Sequence, residues 1–483
     1  MQAPTSNQRK PIKDLTKVFH YTDTMTRKPT RDNDPYEYMA GFGNRFQSEV
    51  IPGTLPAGQN NPQEPRSCTQ YVFLSVFMPN RSYEHKSDIE NCFLTLNPKV
   101  ITLAGQTEWA PFPLPNDDEK IDFVDGLHTL GGSGDPNLRE GIALYVFMIN
   151  ANMDHRAYCN TDGDFLIVAQ QGILDIQTEM GMLFLEPGEI CVVPRGIRFA
   201  VCLGHEHDVA RGYIIEVWGS RWELPDLGPL GGHGLANPRD FLHPVAHIDE
   251  NLHEDWEVVN KANGRYSIIE QDHSPFDLVA WHGNVVPYKY DLTKFASQNA
   301  TSIDHTDPSV NCVLTAPSRD PVTPLADFLW FGPRWDVASN TFRPPYFHRN
   351  SATEFLACLY GSGLGRSEVS HTPHGNFSDD YVREIRNQMN DPRRVLENQM
   401  TFMVESSRSL LFTEYARSGC GTFKNRGPHP KVWDALPDKF STYPNIKKIL
   451  SQVKSNKEAW KKQLEACYDD DWLAEMYKDH DKA

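Results

Sequence analysis

No apolar run in this 483-residue chain approaches the length needed to cross a bilayer, which excludes a helical membrane anchor. Residues 1–37 contain no apolar stretch and mix Arg9, Lys10, Lys13 and Lys17 with Asp14, Asp23, Asp32 and Asp34. That mixture suits neither a secretory signal nor a mitochondrial presequence. Positive charge is in deficit: 47 Lys and Arg against 64 Asp and Glu leave a net charge of −17. A general nucleic-acid binder needs a basic face to displace counterions, and anionic lipid likewise attracts basic segments, so neither partner is expected. The nine cysteines are scattered and form no CxxC pair, which excludes a disulfide framework or a zinc ribbon and suits a reducing cytoplasmic setting. HExxH is absent, and the glycine clusters at GDFLIV, GGSGD and GLGRS lack the strand–loop–helix setting of a phosphate cradle.

What is present is the material of a large β protein. Hydrophobic residues make up 39% of the chain and aromatics 11%, enough for an extensive core, and 35 prolines with 32 glycines suit many short strands joined by turns. The clearest pattern lies at 162–201, where FLIVA, ILDIQ, MLFLE, ICVVP and IRFAV are separated by the turn signals QG, MG, EPGE and PRG. Strands so short and evenly spaced predict an antiparallel barrel or jelly roll. A second β-rich region spans about 276–416, and apolar residues at helical spacing between Ile446 and Leu473 predict a helical tail. The expected organisation is a flexible polar arm (1–37), an N-terminal β-rich domain (38–275), a C-terminal β-barrel domain (276–435) and the helical tail (436–483).

One window concentrates the chemistry. RPPYFHRNSATEF carries His348 and Glu354, and SHTPHG carries His371 and His374. An offset of six keeps His348 and Glu354 on one face of an extended strand, and a histidine twenty residues further on can return through a hairpin. Two neutral imidazoles and one carboxylate leave open metal positions, the arrangement of non-haem Fe(II) oxygenases. The same spacing is also compatible with isolated core or surface histidines. His371 and His374, three apart, face opposite sides of a strand, so only one can join the set, and TPHG favours His374. His282, ending the apolar run LVAWHG at a Gly-Asn turn, is a candidate fourth ligand, an acid/base group or a turn histidine bonded to backbone.

EPGEICVVPRGIRF resembles the second half of a cupin motif with Phe199 at the place of a histidine ligand, which implies a metal-free N-terminal barrel in a bicupin-like chain. More extensively, AGFGN (40–44), LPAGQNNPQ (55–63), VDGLHTLGGSGD (124–135), NTDGDFLIV (160–168), ELPDLGPLGGHGLANPRDFL (223–242), SPFDLVAWHGNVVPYKY (274–290), TFRPPYFHRN (341–350), TPHG (372–375) and FMVESS (402–407) resemble, in order, the homogentisate 1,2-dioxygenase family. The resemblance implies Fe(II) on His348, Glu354 and His374, an active-site histidine at His282, and a substrate side including Ser274, Tyr346, Phe347, Cys159 and His374. It also implies a homo-oligomer built from trimers, typically a hexamer. The implied reaction opens homogentisate, or a close 2,5-dihydroxyaromatic, with O₂ to give maleylacetoacetate or its analogue.

Three positions depart from the family pattern: the loop Gly361–Ser370 is short, Cys159 stands where a pocket tyrosine is usual, and Phe347 precedes His348 where tyrosine is common. They open the alternative of gentisate, a substituted hydroquinone or a secondary metabolite as substrate. Two further alternatives, a non-catalytic bicupin and a His₂Glu zinc hydrolase, differ in predicting no bound iron and no need for O₂.

Overall fold

The computed structural model describes residues 26–27, 31–43, 46–51, 54, 72–76, 84–88, 100–101, 107–109, 112–204, 207–226, 236–249, 254–295, 311–320, 323–332, 334–335, 352–360, 373–374, 395–396, 400–416, 423–424, 442–445 and 448. In chain order the strands begin with β1 (Thr26–Arg27), β2 (Tyr38–Ala40), β3 (Phe46–Glu49), β4 (Val72–Val76), β5 (Glu84–Asp88), β6 (Val100–Ile101) and β7 (Thr107–Trp109). A dense run follows: β8 (Leu127–Asp135), β9 (Glu140–Ile149), β10 (Arg156–Asn160), β11 (Gly163–Gln171), β12 (Leu174–Thr178), β13 (Gly181–Leu185), β14 (Glu189–Val193), β15 (Arg198–Leu203) and β16 (Ala210–Trp218). Next are β17 (Phe241–Pro244), β18 (Trp256–Ala262), β19 (Arg265–Gln271), β20 (Leu278–Gly283) and β21 (Tyr288–Asp291). The C-terminal part holds β22 (Cys312–Pro317), β23 (Pro324–Phe331), β24 (Arg334–Trp335), β25 (Thr353–Tyr360), β26 (Pro373–His374), β27 (Val395–Leu396), β28 (Met400–Ser406), β29 (Leu411–Thr413) and β30 (Phe423–Lys424).

Among the described residues, the three largest sheets stack around two cores. The central sheet runs β1-β2-β17-β21-β14-β11-β16-β9-β8-β29-β6, the second β13-β12-β15-β10-β18-β19-β5, and the third β22-β23-β28-β25. Strand β9 shows why the central sheet can serve both neighbours. Ala143, Tyr145 and Phe147 enter a first core shared with the second sheet, while Ile142, Leu144 and Val146 enter a second core shared with the third. Successive side chains on a strand point to opposite faces, so a strand buried on both reads as the unbroken apolar run GIALYVFMI. The five runs expected at 162–201 are β11 to β15, and the glycines of their turns, Gly172, Gly181, Gly188 and Gly196, all take positive φ. Phe199, at the place of the cupin histidine, packs edge-on against Tyr158 and Phe123 inside the first core.

The glycines of LGGSGD have a packing purpose. A Cβ on Gly131 would lie 2.8 Å from the Leu411 carbonyl oxygen and 3.0 Å from the Phe412 ring. Only a residue without a side chain lets β29 pair with β8 there.

Two buried ion clusters cross-link the strands. Lys261 donates to both oxygens of Glu216, at 2.7 and 3.0 Å, and to Asp162 at 3.0 Å. Tyr145 and Asn160 also donate to Glu216, and the Asn263 and Gly264 amides donate to Asp162. In the second cluster Lys289 donates to Asp34, to Glu189 and to the Phe184 carbonyl, while Tyr38 donates to Asp34. Arg31 adds ion pairs to Asp291, Glu186 and Glu189.

Most of the expected arm of 1–37 lies outside the described residues, and the second cluster bears on its last part. Thr26–Arg27 pairs with β2, and Arg31 and Asp34 reach partners more than 150 residues away. Those side chains fasten the segment to the central sheet. Hydrogen bonding also carries the N-terminal unit past the expected boundary at 275/276, because β20 pairs with β3 and β4, and β21 pairs with β14 and β17. The expected helical tail lies almost wholly outside the described residues. Among the described residues no helix is long and apolar enough to cross a membrane.

Candidate functional site

Glu354 is the second residue of β25 and is 3% exposed. Its neighbours in sequence and across the sheet define its face. Phe355, Val404 on β28, Phe328 on β23 and Leu314 on β22 all turn into the second core. Glu354 therefore faces the other side of the third sheet. The register sets it opposite Glu405, which is opposite Asp327, which is opposite Thr315. Three carboxylates and a hydroxyl thus form one row across four strands, with Thr315 donating to Asp327. Burial raises the Asp327 carboxyl above its ordinary value, with the Thr315 hydrogen bond opposing.

His374 lies on β26, which sits beside β25. β26 pairs in parallel with β7, and its register sets His374 opposite Glu108. His348, Tyr346 and Phe347 lie outside the described residues, as does His371. The fold therefore brings the strands of two of the three expected ligands together. A buried carboxylate on one strand and a histidine on the adjacent strand fit the donor chemistry of a non-haem iron centre. Among the described residues no group of three histidine, cysteine or carboxylate side chains is gathered closely enough to hold a metal by itself.

His282 occupies the penultimate position of β20, paired with Gln47 on β3 and Phe73 on β4. Its neighbour Trp281 is fully buried in the first core and donates its indole N–H to the Met180 carbonyl at 2.8 Å, which pins the strand. Alternation then turns His282 to the opposite face, where it is 7% exposed. Burial pulls its pKa below the usual imidazole value, so the ring is neutral at pH 7, with one donor and one acceptor nitrogen. Among the described residues, the small sheet β3-β20-β4 shares no hydrogen-bonded strand with the third sheet.

Two further expected substrate residues, Ser274 and Cys159, lie among the described residues. Ser274 is fully buried; its hydroxyl donates to Asp249 at 3.0 Å and accepts from the Phe276 amide at 3.2 Å, the bonding of a local turn. Cys159 lies in β10, opposite Arg198 and Asn260, within the first core. Burial pushes its thiol up to about 12, aided by the Glu179 charge, so it stays protonated. Adjacent Tyr158 meets the Tyr266 hydroxyl at 3.3 Å in the same core. The central sheet stands between this core and the one Phe355 enters. Sequence reasoning missed Glu405 and Asp327. Alternation in FMVESS sets Glu405 on the face opposite Val404, but no local pattern reveals that this face meets Glu354.

Comparison with known proteins covers most of the chain. The family model described as homogentisate 1,2-dioxygenase N-terminal matches residues 37–75 and 64–292, and the corresponding C-terminal model matches 293–440. Homogentisate 1,2-dioxygenase of Mus musculus is 42% identical over 437 residues, covering 84% of this chain and 97% of the relative. That of Drosophila melanogaster is 41% identical over 442 residues, covering 85% and 99%. Among solved structures, a cupin-2 domain protein from Shewanella frigidimarina matches 16% of this chain and 70% of its own length, at 18% identity and a TM-score of 0.14. That last likeness is too partial to bear on function. The two family models together span the strands of both cores, and their relatives align nearly end to end; the chain belongs to the homogentisate 1,2-dioxygenase family.

Proposed function

We propose that this protein opens the aromatic ring of homogentisate with O₂ at an Fe(II) centre held by His348, Glu354 and His374, giving maleylacetoacetate in the catabolism of aromatic amino acids. The observation that carries the reading is the match to both halves of the family over 37–440, with relatives of that name covered almost completely. When bound, the iron supplies the one-electron chemistry that lets O₂ react with an electron-rich hydroquinone ring. Both oxygen atoms of O₂ end in the product.

The chain's own residues supply position, dryness and proton handling. Glu354 offers a carboxylate already withdrawn from water on a rigid strand, so little ordering remains when the metal binds. His282, kept neutral by burial, can accept the proton of a substrate hydroxyl on one ring nitrogen while its other nitrogen donates. Trp281 and the two flanking strands hold that ring in place. The gentisate alternative rests mainly on Cys159 and the short Gly361–Ser370 loop. Cys159 packs in the first core, where the exchange acts on packing, and the loop lies outside the described residues. Assembly through trimers into a hexamer in the cytoplasm is the companion proposal, checked by light scattering on the purified chain.

The deciding assay is oxygen uptake by protein loaded anaerobically with Fe(II), run side by side on homogentisate, gentisate and plain hydroquinone. One O₂ consumed per homogentisate is the expected result; uptake with gentisate and none with homogentisate would sink the proposal. In the same assay His282→Gln is expected to lose about 10²–10⁴-fold in kcat. Its iron content stays at the wild-type level; iron lost along with activity would instead make His282 a ligand.

A further inference from the structure

The carboxylate row on the third sheet continues past the residue assigned to iron. We propose that Glu405 is a positioning residue for the iron centre: it supplies fixed negative charge beside Glu354 and thereby strengthens iron binding and favours the ferric state. This rests on the reading of Glu354 as a ligand and goes beyond it, since Glu405 itself does not touch the metal.

The argument is geometric. Glu354 and Glu405 are direct partners across an antiparallel pair, and the β25–β28 register is unbroken at that point. Both face away from the second core, because Phe355 and Val404 face into it. Directly opposite residues have Cβ atoms about 4.5–5.5 Å apart. Asp327 is the next partner in the row, and the Thr315 hydroxyl holds it. The field of these groups is felt on the same face: the Cys312 thiol is raised well above its usual value, by burial first and then by Asp327 and Glu405.

A charge one strand away from a metal ligand, on a partly buried face, is screened less than one in solvent. Its attraction for iron scales with the ion's charge, so removing it costs Fe(III) more than Fe(II). That difference separates this role from a merely structural one. A loosened fold weakens binding of both ions and leaves the potential where it was.

The test uses the full-length protein with four variants: Glu405→Gln, Glu405→Asp, Asp327→Asn and Glu354→Gln. Fe(II) affinity is read anaerobically by competition with a chromogenic chelator, and the Fe(III)/Fe(II) midpoint potential by mediated titration. Glu405→Gln is expected to bind Fe(II) about tenfold more weakly. Its ferric affinity falls roughly a further threefold, an upward shift of about 30 mV for a one-electron couple. Glu405→Asp keeps the wild-type potential, and Asp327→Asn, one strand further away, shows a smaller upward shift. Wild-type affinity and potential in Glu405→Gln, or weakened binding at an unchanged potential, would overturn the proposal. Should Glu405→Gln fail to fold, Asp327→Asn takes its place: an upward shift supports the proposal and no shift overturns it. Glu354→Gln separates the two readings, because iron affinity retained there refutes the ligand assignment itself, while iron lost there leaves the Glu405 result to stand alone.

Discussion

Replacing Lys261 by methionine tests the account of the first core directly. The ammonium lies against three carboxylate oxygens of Glu216 and Asp162, at 2.7, 3.0 and 3.0 Å, and its side chain is 0% exposed. Methionine matches the stem in length and apolar character, so the cavity term is small. What remains is the charge: two buried carboxylates keep their amide, hydroxyl and side-chain donors but lose their cation. Breaking a buried ion pair from one side typically costs about 3–5 kcal/mol. For a unit of this size each kcal/mol lowers Tm by about 2–4 °C, so the expected fall is roughly 6–20 °C. The assay is thermal and urea unfolding followed by tryptophan fluorescence, since Trp218 lies under the ammonium at 5.7 Å. The double variant Lys261→Met with Glu216→Gln should recover much of the loss. Tyr145 and Asn160 can still donate to the amide oxygen of Gln, and one of the two stranded charges is gone. A Lys261→Met protein within about 1 kcal/mol of wild type, or a double variant no better than the single, would refute the reasoning.

Two further outcomes follow from buried groups. The Asp164 carboxyl is pushed up by burial to about 6 from an ordinary 3.8, so the folded protein holds this proton more tightly than the unfolded chain does. Its contribution is therefore present below pH 4 and lost as pH rises through 6, a difference of about 3 kcal/mol. Asp164→Asn should raise Tm at pH 7.5 and change it little at pH 4, measured by scanning fluorimetry; a lower Tm at pH 7.5 contradicts this. Arg31→Ala removes the pair to Asp291 from a side chain about one-fifth exposed, for a modest global loss of about 1–2 kcal/mol. Hydrogen exchange should quicken at residues 31–40 and stay unchanged at 163–193; uniform quickening would count against a local clip.

Much of this architecture was legible from local pattern. FLIVA to IRFAV became β11 to β15 because alternation and turn chemistry both act within ten residues. The contacts of residues 31–37 were hidden for the opposite reason. Arg31 and Asp34 look like solvated charge until Lys289 and Asp291, some 255–260 positions later, are brought beside them. The same limit applies at the site. His348, Glu354 and His374 could be proposed from spacing along the chain, whereas the neighbour of Glu354 depends on which strand pairs with β25 and in what register. A shift of one residue would have set Val404 there instead of Glu405. Ser274 looked like a pocket residue from its motif, and the fold engages its hydroxyl in a turn.

The pairing of β29 with β8 has a consequence for how the molecule is made. β9 is complete when Ile149 has been synthesised, but the strand that covers the far edge of β8 ends at Thr413, 264 residues later. At translation rates of about 5–20 residues per second, that edge waits roughly 13–53 s on the ribosome. Throughout the wait the bare Gly131 and Gly132 present unpaired amides and carbonyls to the nascent-chain environment. Stalling or premature termination upstream of Leu411 would thus release a species with an adhesive strand edge, and aggregation of such fragments would follow from the order of the strands alone.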